Sequence, residues 1–228
     1  MKYQLLQADA FFTLFAALFF DPVFRLQNIL GHQLNDKQAI GVDPDNDFLR
    51  ACLTTNIDDP KDFASHIAKR FGLDDVNSEQ LLQFETLLEC ERASVAQYWD
   101  VEPAMRKLRD AGFILCVNSN LWPFAADHIF NRHGLARLFD EDGLVLSYRE
   151  GLKKDDSDIY LVAPKRFGIA PERTVFVGDS LQNDCVGPMQ HGIKPFLLDR
   201  SGGFEGKSIP DGVTRVRNLM QMTEILLN

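Results

Sequence analysis

Residues 3–15 read YQLLQADAFFTLF, and how this stretch is parsed decides the fold. Leu5 and Leu6 belong to a short apolar run that ends on one carboxylate, Asp9, followed at once by Ala10-Phe11-Phe12-Thr13-Leu14. An apolar run closed by a polar turn reads as a buried strand. A carboxylate at the C-terminal end of a strand is where an open α/β sheet places its chemistry. Alone, Asp9 reads equally well as an ordinary turn residue. The difference lies in whether later segments supply it with partners.

From Val101 onward strands and helices alternate. An amphipathic helix over 103–111 closes at Gly112, and residues 113–117 (FILCV) form a buried strand leading into Asn118-Ser119-Asn120. A helix over 123–133 stops at Gly134, and 144–146 is a short strand. Lys154 falls in a polar loop, and Ser157 opens a helix that runs to Gly168. Residues 174–177 form a strand ending in Gly178-Asp179-Ser180. Residues 181–191 read as helix, with Pro188 predicting a bend or an early end. A strand over 195–198, a glycine-rich loop over 201–210 and a helix over 216–227 complete the chain. This alternation predicts a parallel sheet with right-handed crossovers.

Residues 16–98 follow a different pattern. Phe15, Leu18, Phe19, Val23, Leu26 and Leu30 recur at threes and fours before Gly31, and 43–47 is a polar break. A second helix is expected over 48–53. Asp59-Pro60 supplies an N-cap and a first helical residue, with Phe63, Ile67 and Phe71 following on one face. Asn77 and Gln80 are spaced for a capping box, and Leu81, Phe84, Leu88 and Val95 line the next helix. No strand is evident. The expectation is an α/β core over 1–15 and 99–228, interrupted by a helical domain over 16–98.

The composition narrows the partners. The 228 residues carry 24 basic and 33 acidic side chains, a net charge of −9, with no run of like charge. That argues against nucleic acid and anionic membranes. Residues 11–20 (FFTLFAALFF) match a signal h-region in length. Asp9 precedes them, no small-residue cleavage site follows, and Asp21 ends the run too early to span a bilayer. The scattered cysteines 52, 90, 116 and 185 read as buried thiols in a reducing compartment. A cytoplasmic protein is the expectation.

Asp9 and Thr13, Ser119 and Asn120, Lys154, and Asp179 with Asp184 all follow strand ends and can converge on one sheet edge. A carboxylate can attack phosphorus to form an acyl phosphate that water later cleaves. An anionic nucleophile repels a phosphate dianion, so positive charge is required. Asp9 and Asp179 could hold Mg²⁺, Lys154 adds a second positive charge, and Ser119 offers a hydroxyl to a phosphoryl oxygen.

The order DAFFTL, VNSN, GLKKDDSDIY, VGDSLQND resembles the four motifs of the haloacid dehalogenase (HAD) superfamily. The resemblance implies a Rossmann-like parallel sheet, and the helical insert resembles that family's first cap type. It implies Asp9 as nucleophile and Mg²⁺ ligand, the Phe11 main-chain carbonyl and Asp179 as further ligands, and Asp184 as a further acid of the metal site that supports the lysine or a metal-bound water. It implies Lys154 as the charge-stabilising lysine and Ser119 as the phosphate-binding hydroxyl. Asn120 and Thr13, polar groups that follow the same strand ends, are further substrate-binding candidates. A cap that closes over the site would exclude water and macromolecules, so the expected substrate is a small phosphorylated metabolite.

Three residues depart from the pattern. Phosphatases of the family usually carry an aspartate two residues after the nucleophile, and Phe11 can neither give nor take a proton there. An aromatic at this position and an Asp-Ala pair resemble the family's metal-independent 2-haloacid dehalogenases, whereas Gly178, Asp179 and Asp184 favour the metal-dependent branch. Phe12 stands where glycine is usual, and Asp155 where proline is usual, the latter read as solvated. The alternatives are a dehalogenase-like enzyme or a catalytically silent binding protein.

Overall fold

A computed structural model of the chain describes residues 2–17, 21–32, 46–132 and 134–228. In chain order the strands are β1 (Leu5–Ala8), β2 (Phe15–Ala17), β3 (Val95–Gln97), β4 (Ile114–Ser119), β5 (Leu144–Leu146), β6 (Thr174–Gly178), β7 (Lys194–Leu198) and β8 (Thr214–Val216). Helices α1 (Pro22–Ile29), α2 (Asn46–Thr54), α3 (Pro60–Arg70) and α4 (Ser78–Ser94) lie between β2 and β3. The later helices are α5 (Val101–Asp110), α6 (Pro123–Ala126, continued by a π-helical turn to Arg132), α7 (Ser147–Glu150), α8 (Val162–Phe167), α9 (Gly187–Met189) and α10 (Leu219–Leu227).

The fold is α/β. Six strands form one parallel sheet in the order β5-β4-β1-β6-β7-β8. β1 is its central strand and every residue of it is buried, as a strand covered on both faces requires. Its registers, Ala8 opposite Val117 on β4 and opposite Val177 on β6, carry all three strands to the same edge together. Gln7 is the polar exception in β1. Its amide donates to the Tyr160 carbonyl (3.0 Å) and accepts from Asn118 (2.8 Å), so this buried polar group is hydrogen-bonded.

Local signals fixed the ends of α3 and α4. The Asp59 side chain accepts from the Asp62 N–H, and Asn77 and Gln80 form the reciprocal capping box. The expectation of no strand within 16–98 fails at both ends: β2 and β3 pair antiparallel as a two-stranded ribbon beside the core. Apolar spacing cannot reveal a three-residue strand whose partner is some 80 positions away. Leu18, Phe19, residues 43–45 and His133 lie outside the described residues. The chain end differs as well. Thr214–Val216 adds a strand to the open edge of β7, and the last helix starts at Leu219, where Asn218 caps it by accepting from Gln221 N–H. Cys52, Cys116 and Cys185 are buried as expected, but Cys90 is exposed.

One ion pair locks the ribbon to the core. The Arg200 guanidinium donates to both Asp100 oxygens (3.0 and 2.9 Å) and to the Thr13 carbonyl (2.8 Å), and it stacks 3.9 Å above the Tyr98 ring. Asp100 also accepts from the Leu219 N–H that opens α10. Removing one member of a buried pair leaves the other charge uncompensated. Asp100→Ala is therefore expected to lower unfolding free energy by about 3–5 kcal/mol in a urea titration, and a loss below about 1 kcal/mol would place the pair among ordinary surface contacts.

Candidate active site

The C-terminal edge of the sheet gathers the candidate residues. Asp9 follows β1, Ser119 ends β4, and Asp179 follows β6. Because β1 lies between β4 and β6, Asp9 sits between the other two. Lys154 arrives on the loop after α7, its Nζ 2.5 Å from Asp9 Oδ1 and 2.6 Å from Asp184 Oδ1. The Ser119 hydroxyl donates to Asp9 Oδ1 (3.0 Å). One carboxylate oxygen from each of Asp9, Asp179 and Asp184 lies within 4.8 Å of the others.

Each group is held from behind. Ser180 N–H donates to Asp184 Oδ2 (2.9 Å), and a Cβ on Gly178 would fall 2.2 Å from the Asp184 carboxyl carbon, so glycine there permits the close approach. The Lys154 N–H donates to Asn120 Oδ1 (2.9 Å), giving Asn120 a positioning contact that its sequence position did not reveal. Tyr160 Oη lies 2.7 Å from the Asn183 carbonyl and 3.0 Å from that of Lys154, joining the two loops. Asp156 accepts from the Lys153 N–H (2.9 Å) and from Arg50 on α2 (2.6 Å), which ties the helical segment to the lysine loop. Asp155 is largely exposed and pairs with Lys153, as its solvated reading anticipated. The Thr13 hydroxyl is buried without a hydrogen-bond partner. Phe12 adopts φ 58°, the left-handed conformation in which glycine would be unstrained. None of Asp100, Arg200, Gln7, Tyr160 and Arg50 stood out in the sequence.

The electrostatics follow from three carboxylates sharing one lysine. Burial raises Asp9 to about 6, against the pull of Lys154 and with the push of Asp184. Burial also raises Asp179 to about 7, with Asp9 and Asp184 adding to it. Burial alone would lower Lys154, but the Asp184 and Asp9 carboxylates outweigh it and hold the ammonium charged. The cluster has more negative charge than Lys154 can balance. An all-oxygen donor set in that condition fits a hard divalent cation.

Beside this edge lies a cavity of about 220 Å³ bordered by Phe11, Phe12, Asn120 and Trp122 and by residues of α1, α2 and α4. A larger cavity of about 580 Å³, lined by Arg92, His128 and Arg149 among others, has no member of the Asp9 cluster in its lining.

Sheet order, site and sequence agree on a class, and the sequence model of haloacid dehalogenase-like hydrolases matches residues 61–188, more than half the chain. The chain belongs to that hydrolase family. Among individual proteins it is similar to the glyceraldehyde 3-phosphate phosphatase of Methanopyrus kandleri, 34% identical over 109 residues that cover 47% of this chain and 46% of that protein. It is also similar to the phosphoserine phosphatase of Thermus thermophilus, 29% identical over 110 residues covering 48% and 43%. The match thus spans a little under half the length of each relative. Two solved structures share the fold over nearly the whole chain. A HAD phosphatase from Thermococcus onnurineus has TM-score 0.62 and 24% identity, covering 98% of this chain and 97% of that one. A 2-haloacid dehalogenase from Pseudomonas syringae pv. Tomato DC3000 has TM-score 0.67 and 22% identity, covering 99% and 98%.

Proposed function

We propose that the chain is a magnesium-dependent phosphomonoester hydrolase that uses Asp9 as nucleophile on a small phosphorylated metabolite. The observation that carries this reading is the cluster of Asp9, Asp179 and Asp184, which holds more buried negative charge than Lys154 offsets. The two phosphatase-named relatives support it. Halide displacement needs no such cluster, since the leaving ion requires neither a metal nor a proton.

Asp9 attacks phosphorus, the ester P–O bond breaks, and an acyl phosphate forms on the carboxylate. Lys154 and the Ser119 hydroxyl hold the phosphoryl oxygens, with Asn120 keeping the Lys154 loop in place and Thr13 offering a further hydroxyl. Asp9, the Phe11 carbonyl and Asp179, supported by Asp184, would hold Mg²⁺, which supplies positive charge to the phosphoryl group. The helices over 16–98 act as the cap that excludes water and large substrates. Water then cleaves the acyl phosphate and regenerates Asp9.

The proton for the leaving alkoxide is the weak point. Phe11 supplies none, and a missing general acid–base is worth on the order of 10²–10⁴ in rate. Phe11→Asp is expected to raise kcat on alkyl phosphates by roughly 10²-fold in Mg²⁺. No gain in steady-state assays would mean that protonation is not limiting. Removing the metal with EDTA should abolish phosphatase activity. Activity that survives chelation, or release of halide from 2-haloacids, would overturn the reading in favour of dehalogenase chemistry.

Metal-free stability should also depend on pH. The raised carboxyls of Asp9 (about 6) and Asp179 (about 7) bind more protons folded than unfolded. Their contribution is complete below the unfolded carboxylate range near pH 4 and is lost as pH rises through about 6 to 7. In EDTA the thermal midpoint is expected to fall across that window, and Mg²⁺ should raise it more at pH 8 than at pH 5. A midpoint that rises with pH across the window would contradict the charge balance described.

A further inference from the structure

The cavity beside Asp9 carries a chemical bias that the phosphoryl site does not explain. Its floor is Phe11, Phe12 and Asn120, the residues immediately around the nucleophile and Ser119. With Asp9 as the nucleophile, it is the space beside the site into which the alcohol half of the ester would extend. Its walls add Trp122, Asp21 and Glu91, and the remaining lining is aliphatic or small. Among the described residues that line it, none is lysine, arginine or histidine.

Glu91 is the unusual member. It projects from α4, is 3% exposed, and forms no ion pair among the described residues. Both its carboxyl oxygens accept from one donor, the Trp122 indole N–H, at 3.1 Å each. A carboxylate offers about four acceptor sites, so a single N–H leaves it under-partnered. Burial pushes it up to about 7, against the Trp122 bond. Trp122 is itself braced by Phe84 and Phe124, with ring centroids 5.9 and 5.3 Å away. The carboxyl is thus fixed in place at the edge of an apolar, aromatic space.

We propose that this pocket reads the leaving group by charge, and that Glu91 selects a small alcohol bearing an ammonium ion. The ammonium pairs with the buried carboxylate, and the rings of Phe11, Phe12 and Trp122 give it aromatic surface of the kind that attracts cations. A carboxylate in the same place meets the Glu91 carboxylate and, among the described lining residues, no basic partner, and like-charge juxtaposition is an effective means of rejection. The choice also relieves the defect at Phe11. An ammonium group near the ester oxygen withdraws electrons and makes the alkoxide a better leaving group, so the reaction depends less on an acid the site lacks. The identity of the leaving group rests on the phosphomonoesterase reading, but the charge preference of the pocket does not.

Three esters of similar size test it: 2-aminoethyl phosphate, propyl phosphate and carboxymethyl phosphate, assayed with Mg²⁺. The expected order of kcat/KM is ammonium, neutral, carboxylate, each step about tenfold, equivalent to about 1.4 kcal/mol. In Glu91→Gln the ratio of ammonium to neutral ester should collapse toward one. Leu49→Arg, which puts a cation in the pocket wall, should reverse the order of the charged esters and does not depend on Glu91→Gln folding. Turnover in which the carboxylate ester equals or beats the ammonium ester overturns the inference and leaves the phosphatase reading intact. If every ester is inert, the phosphatase reading fails, and ligand-observed NMR titration decides the pocket separately. Binding of 2-aminoethanol over 1-propanol, lost in Glu91→Gln, supports the inference, and equal or absent binding overturns it.

Discussion

Asp9→Asn is expected to cut turnover by a factor on the order of 10⁴ or more while leaving the protein folded. The amide keeps the shape of the carboxyl but cannot displace the ester oxygen, so no acyl phosphate forms. Stability should move the other way. Asp9 is one of three crowded carboxylates, and Lys154 retains its 2.6 Å contact with Asp184 when Asp9 is neutral. In EDTA at pH 8 the thermal midpoint of Asp9→Asn is expected to equal or exceed that of the unmutated protein. Initial rates and a melting curve on one preparation check both halves. Turnover within tenfold of the unmutated protein would remove Asp9 from the role of nucleophile.

Lys154→Met should be the most damaging single change, because it acts on both rate and fold. Its ammonium is nearly fully buried and touches both Asp9 and Asp184. Methionine fills much the same volume and leaves three carboxylates with no cation. Breaking a buried pair from one side costs about 3–5 kcal/mol, and loss of a charge that stabilises the transferring group costs on the order of 10²–10³ in kcat. Acid should rescue the fold. With Lys154 gone, the carboxyl pKa values rise further, so the variant gains stability as pH falls and these groups take up protons. Urea unfolding at pH 5 and pH 8 measures it. Equal destabilisation at both values would show that lost packing, not charge, is responsible.

Much of the fold was legible because its signals are local. The caps at Asp59 and Asn77 need only residues three positions apart, and α3 and α4 start where those spacings place them. Buried strands 113–117 and 174–177 showed as apolar runs ended by polar turns. The β2–β3 ribbon and β8 were not legible. A three-residue strand has too little periodicity to register, and each exists because a distant edge accepts its hydrogen bonds. Arg200 could not be chosen among surface arginines, since its partners Asp100 and Thr13 lie 100 and 187 positions away.

The sequence by itself determined which groups stand at or beyond the strand ends: Asp9, Ser119 and Asp179 lie at a strand end, and Lys154 and Asp184 fall in the segments that follow one. It also determined that Phe11 removes a proton donor, since that is a matter of residue chemistry alone. Only the tertiary structure decided how the charges balance, because one lysine is shared among three carboxylates from two other segments and burial makes the imbalance costly. It also decided that Asn120 holds the lysine loop and that Glu91, 82 residues beyond Asp9, borders the pocket beside it. Those relations depend on distances across chain crossings, and residue spacing carries no record of them.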